Sequence, residues 1–177
     1  MSERELLELA HGEGFSAGIV STDQIPVDPK YRAYCEENLC GQYGANYSCP
    51  PDCGTVEEVH DRLSSMEKGM VIQTTWEIEG YEDKAAVLRA KRAHNAAVLR
   101  LMDKLRKAGV SGFCLGYGGC PLCEPCARRE NRPCAHPEKK ISCMSAYCID
   151  VATLAGKCGL EFDWNPQKLY LFGMIVF

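Results

Sequence analysis

Twelve cysteines in 177 residues constrain this chain more than any other feature, because eight of them fall into two tight groups. The first group, "CEENLCGQYGANYSCPPDC", places Cys35, Cys40, Cys49 and Cys53 at gaps of four, eight and three residues. The second, "GYGGCPLCEPCARRENRPC", places Cys120, Cys123, Cys126 and Cys134 at gaps of two, two and seven. Thiols used only as small buried hydrophobes would be scattered along the chain, and Cys114, in a strand pattern, and Cys158, at a helix end, fit that use. The first fourteen residues carry no apolar run of secretory type, and the longest late apolar run, "YLFGMIVF", is too short to span a bilayer. A cytoplasmic location follows, where thiols stay reduced. Metal ligation therefore explains the two groups better than disulfides do.

Three thiolates at two-residue gaps on a tight turn reach three irons of one cubane, and a fourth cysteine closes it, so the second group reads as a [4Fe-4S] site. Its long last gap departs from the bacterial ferredoxin run and leaves Cys143, Cys148 or a cysteine of the first group as rivals to Cys134 for the fourth position. Gly116, Gly118 and Gly119 would let backbone N–H groups approach the cluster sulfurs. Zinc is the competing metal, but zinc knuckles place their Cys-x2-Cys pairs apart rather than three cysteines in a row. "CPLC" and "CEPC" also match a dithiol redox motif, against which the third and fourth cysteines count. In the first group, Gly41 and Gly44 allow a sharp return of the chain, and Pro50-Pro51 should hold the following backbone extended. It reads as a second [4Fe-4S] site, with zinc a closer rival here than at the other group.

With these motifs the chain resembles the cysteine-rich "predicted metal-binding" proteins classified as a domain of unknown function. "CGQYGANYSCPP", "GGCPLCEPCA", "PCAHPEKK" and "MSAYCIDV", leading into "YLFGMIVF", carry the resemblance over nearly the whole length. It implies metal binding of iron–sulfur type and no established reaction. It also implies that Cys143 and Cys148 stand where small, non-ligating residues are expected.

The pattern along the chain predicts an α/β fold in one domain spanning residues 1–177, with cysteine loops at 35–53 and 120–134. A composition of 46% apolar and 25% charged residues fits a single core. After a short amphipathic helix at 3–10, strands at 17–20, "MVIQTTWEI", "VSGFCLGYG" and "KLYLFGMIVF" alternate with helices at 56–68, 86–108 and 144–157. That makes a small sheet of about four strands with packed helices, and the cysteine loops permit mixed strand directions. The segment 26–54 reads as a loop organised by something other than a core. Ala86, Ala90, Ala93, Ala97, Leu101, Leu105 and Ala108 form an apolar stripe on the longest helix, with His94 at its boundary. Ser142 is the candidate cap of the last helix.

Two [4Fe-4S] clusters with all-cysteine ligation predict an electron carrier, or the electron-delivering component of a larger redox system, working with a redox partner protein. A fully ligated cluster has no open iron for Lewis-acid work. One alternative is a zinc module that docks a protein or nucleic acid through the basic island at 81–110, which carries 8 basic and 3 acidic groups, Lys91, Arg92, Arg100, Lys104 and Lys107 among them. The net charge of −4 argues against nucleic acid. Another is a cluster-dependent reductase with its own substrate, for which the sequence shows no convergent acid–base pair. The radical S-adenosylmethionine spacing is absent, since position 56 is Val, and "GEGFSAG" lacks the context of a dinucleotide turn. His136 is read as a solvent-facing or capping group, and Tyr43, Tyr47, Tyr117 and Tyr147 as shields near the cysteines. Because Glu36, Glu37 and Asp52 flank the first group while Arg128, Arg129 and Arg132 lie in the second, the sequence predicts the higher reduction potential at the second.

Overall fold

Local capping signals set the helix boundaries in the computed structural model, which describes residues 1–177. Helix α1 (Glu3–Gly12) begins at Ser2, whose hydroxyl accepts the Glu5 N–H while the Glu5 carboxylate accepts the Ser2 N–H. Next come strand β1 (Ser16–Ser21) and a short helix α2 (Lys30–Glu36), the latter inside the segment that reads as a loop. Its only buried side chain is Arg32, so no apolar stripe marks it in the sequence. Thr55 and Glu58 repeat the reciprocal box at the start of α3 (Val56–Ser64).

Strand β2 (Lys68–Glu77) leads to the long helix α4 (Lys84–Lys107), which Asp83 caps by accepting the Ala86 N–H. Strands β3 (Phe113–Gly116) and β4 (Ser142–Cys143) flank the second cysteine loop. The last helix, α5 (Val151–Lys157), starts at Asp150, which accepts the Thr153 N–H. It does not start near Met144, and Ser142 is not its cap. Ser142 lies in β4, Ser145–Tyr147 form a 3-10 turn, and Cys148 takes left-handed backbone at φ 58°, which turns the chain before the helix begins. Strand β5 (Lys168–Val176) ends the fold.

The sheet runs in the order β1-β2-β5-β3-β4. Its first three pairings are antiparallel and the β3–β4 pairing is parallel, so the sheet is mixed. It has five strands rather than about four, because β4 is two residues long and leaves no period-2 pattern to read.

Alternating side chains divide the core between two faces. Met70 and Ile72 pack with Leu6 of α1 and Leu101 and Leu105 of α4, while Val71, Phe172 and Met174 pack with Val59 and Leu63 of α3 and Leu154 of α5. Strands β2 and β5 are thus covered on both sides, which is why they read as continuous apolar runs. On α4 the buried face is Ala90, His94, Ala97, Val98, Leu101 and Leu105, while Ala93 and Ala108 are exposed. His94 is therefore a core residue and not a boundary one. Its Nδ1 meets Thr74 Oγ1 at 2.8 Å, its Nε2 has no partner, and burial pushes its pKa down to about 4. No helix is long and apolar enough to cross a membrane.

Candidate metal centre

The second cysteine loop is aimed by a residue on α4. Asn95, buried, accepts the Tyr117 N–H on Oδ1 and donates from Nδ2 to the Tyr117 carbonyl, both at 2.8 Å. The chain leaving β3 thus has one direction. Gly116 is required at that junction, since a Cβ there would lie 2.6 Å from both Asn95 Oδ1 and Ile141 Cδ1.

Beyond Gly118 and Gly119, Cys120, Cys123, Cys126 and Cys134 all line one pocket. The four thiols that spacing grouped are together, and Cys134 stands among them where Cys143 and Cys148 do not. His136, exposed as expected, and Lys140 share the same wall. Burial pushes the Cys120 thiol up, and the backbone N–H groups of Leu122 and Ile141, directed at its sulfur, oppose that shift.

The first group is built from α2, the loop after it and β4. Cys35 lies in α2, Cys49 and Cys53 are buried, and Cys40 is exposed. The Cys53 N–H donates to the Cys49 carbonyl at 3.0 Å, so Pro50-Pro51 lie in a tight turn and not in extended chain. Burial raises the Cys49 thiol to about 12 and raises Cys53 also. Cys143 joins this group. Its sulfur accepts the Ala146 N–H at 3.4 Å, and the interaction between the neighbouring Cys35 and Cys143 thiols holds Cys35 up and brings Cys143 down. Cys148 is fully buried at the corner before α5, and Cys114 is buried in the core as expected. Cys158 is half-buried against β1, where a Cβ on Gly18 would lie 2.7 Å from its own Cβ.

Arg32, 8% exposed, is the buried charged group at this first site, where the exposed Arg62 also donates to the Cys53 carbonyl at 3.4 Å. One terminal nitrogen of Arg32 donates to the Gly54 carbonyl at 3.0 Å and lies 3.9 Å from Cys53 Sγ, the other donates to the Ala146 carbonyl at 2.7 Å, and Nε has no partner. No ion pair in the molecule includes it. A buried cation without a counter-charge is costly, and thiolates are the anions this site can offer. The donor set and the orphaned guanidinium together fit an anionic metal–thiolate centre. No three His, Cys, Asp or Glu side chains converge closely enough to hold a single metal ion; the four cysteines of the second group line one pocket.

The two loops are locked to each other. The Cys120 N–H donates to Ser48 Oγ at 2.9 Å and Asn46 Nδ2 donates to the Cys120 carbonyl at 3.2 Å. Asn46 Oδ1 in turn accepts the Ser48 N–H and O–H, at 3.1 and 2.9 Å. Gly119 permits this approach, since a Cβ there would lie 3.0 Å from Asn46 Nδ2. Arg128 pairs with Asp52 at 2.9 Å, Arg129 donates to the Gly41 carbonyl, and the Tyr47 hydroxyl donates to the Arg132 carbonyl. Asn46 and Ser48 lie inside "GANYSC", where polar side chains between two cysteines were the available signal. Asn95 and Arg32 had none, since each acts on residues far away in the chain.

Of the tyrosines, Tyr47 lines the second cavity, Tyr147 is a core residue whose hydroxyl accepts from Arg62, and Tyr43 is exposed. Much of the basic face of α4 is engaged within the chain. Arg100 and Lys104 pair with Glu13, Lys107 with Asp103 and Arg92 with Glu124, while Lys91 sits over the Tyr117 ring.

Neither the curated proteins nor the solved structures contain a match to this chain. A family model does match, over residues 18–177, and its description is "Predicted metal-binding protein (DUF2284)". The chain belongs to that family of predicted metal-binding proteins of unknown function.

Proposed function

We propose that this member of the predicted metal-binding family holds two [4Fe-4S] clusters, one on Cys35, Cys40, Cys49 and Cys53 and one on Cys120, Cys123, Cys126 and Cys134. It acts in the cytoplasm as an electron carrier, or as the electron-delivering part of a larger redox system, taking electrons from one partner protein and passing them to another. The observation that carries the reading is the pocket at the second site, which four cysteines line together with no other strong ligand except the exposed His136. Thiols that line a pocket, rather than meet at a point, suit a polynuclear cluster in which each iron takes one cysteine. Such clusters supply one-electron transfer when bound.

The chain's own residues do the rest. The Leu122 and Ile141 N–H groups stabilise negative charge on the Cys120 sulfur, and the Ala146 N–H does so for Cys143 beside the first site. The bonded run Cys49, Ser48 Oγ, Cys120 N–H joins a proposed ligand of one centre to a proposed ligand of the other through a single hydrogen bond. The ion pairs along α4 leave less of the basic face free for a docking role.

The test is the absorption spectrum of anaerobically purified protein, with iron, acid-labile sulfide and zinc analysis. Brown protein with iron and sulfide for two cubanes is the expected result. Colourless protein with stoichiometric zinc refutes the proposal.

A further inference from the structure

We infer that Arg32 is the built-in counter-cation of the first centre and gives that centre the higher reduction potential of the two. The inference rests on the two-cluster reading and reverses the order that charge counting along the sequence predicts.

The cations of the second loop are occupied or solvated. Arg128 is bonded to Asp52 at 2.9 Å, so the pair cancels, and with it goes one of the carboxylates counted against the first centre. Arg132 is bonded to Glu130 at 2.7 Å, and Lys139 is exposed. Arg129, also exposed, reaches away to the Gly41 carbonyl in the first loop. Lys140, on the cavity wall, is exposed and leans on the Tyr47 carbonyl at 3.5 Å. On the other side of the balance, Glu36 and Glu37 are exposed to water.

Arg32 differs in every respect. It is 8% exposed, it has no carboxylate partner, and one terminal nitrogen lies 3.9 Å from Cys53 Sγ. A charge acting through the partly buried protein, at an effective dielectric of about 20, is felt roughly four times as strongly as one acting through water at about 80. One buried guanidinium bonded to no carboxylate therefore outweighs several exposed lysines and arginines whose fields solvent and salt screen. Its Nε is buried with no hydrogen-bond acceptor, and the carboxylate that feels its charge, Glu57 at the start of α3, is exposed and makes no bond to it.

Reduction adds one electron, delivered by a one-electron donor, and makes the thiolate-ligated centre more negative by one charge. Arg32 stabilises that added charge at the first centre. No equivalent buried cation serves the second, so an electron entering at the exposed second loop moves towards the first centre.

The experiment is an anaerobic redox titration followed by electron paramagnetic resonance on full-length protein, with Cys123→Ser isolating the first centre and Cys49→Ser the second, each alone and combined with Arg32→Met or Arg32→Lys. The first centre is expected to titrate at the higher potential. Arg32→Met should move it downward and leave the second centre in place, and Arg32→Lys should hold it close to the wild-type value. A higher potential at the second centre, or an unmoved first centre in Arg32→Met with iron and sulfide retained, overturns the inference. Should Arg32→Met fail to assemble the first centre, the order measured without it decides. Iron and sulfide analysis of the same samples reports separately on the cluster reading.

Discussion

Replacing Asn95 with Ala tests whether a helix in the core aims the second metal loop. The side chain makes two hydrogen bonds of 2.8 Å, one to the N–H and one to the carbonyl of Tyr117, three residues before Cys120. Truncation leaves both backbone groups without that partner in a partly buried position, and each orphaned group costs about 1–3 kcal/mol. Partial access of water favours the lower part of that range, so a total loss of about 2–4 kcal/mol is expected. Asn95→Asp keeps an acceptor for the Tyr117 N–H but turns an acceptor towards the Tyr117 carbonyl, and should be no more stable than Asn95→Ala. Anaerobic urea unfolding of the metal-loaded protein measures the loss. Chelator-driven iron release, followed by absorption, locates it. At 1.36 kcal/mol per factor of ten, a loss of 2 kcal/mol felt wholly at the second loop speeds release there by about thirtyfold, with the first centre little changed. Stability within about 0.5 kcal/mol of wild type, together with unchanged release, would refute the argument.

Two further outcomes follow from the same geometry. Cys123→Ser should strip iron from the second centre and leave the first largely intact, whereas Cys158→Ser and Cys114→Ser, both outside the cysteine groups, should leave both centres; equal iron loss in Cys158→Ser and Cys123→Ser would refute the ligand assignment. For His94, burial lowers the pKa from 6.5 to about 4, so between those values the unfolded chain binds a proton that the folded chain does not, and stability falls as pH falls. The loss should be about 2 kcal/mol between pH 7 and pH 5, measured by urea unfolding at each pH, and a His94→Gln variant should lose less over the same interval.

Asn95 and Arg32 also show where reading the sequence stops. The strand–helix alternation, the apolar runs of β2 and β5, and the Thr55 cap were legible because each depends on neighbours within a turn or a strand, and there the chain pattern and the structure agree. The same holds for the second cysteine group: gaps of two residues bring thiols together on any tight turn, and all four line one cavity. Strand β4 leaves no mark in the sequence because two residues carry no period, and helix α2 leaves none because the one side chain it buries is an arginine. Proximity in sequence suggests Cys143 for the second centre, yet the parallel pairing of β4 with β3 delivers it to Cys35, more than a hundred residues earlier. Charge counting along the chain is blind to burial and pairing for the same reason. It treats every arginine as equal, whereas the fold joins Arg128 to Asp52 and encloses Arg32. Local order and the juxtaposition of the second cysteine group were thus written in the sequence, because short-range sterics and spacing determine them. Which charge is buried, which is cancelled, and which loop meets which were decided only in the tertiary structure, since burial and pairing depend on residues that the chain holds far apart.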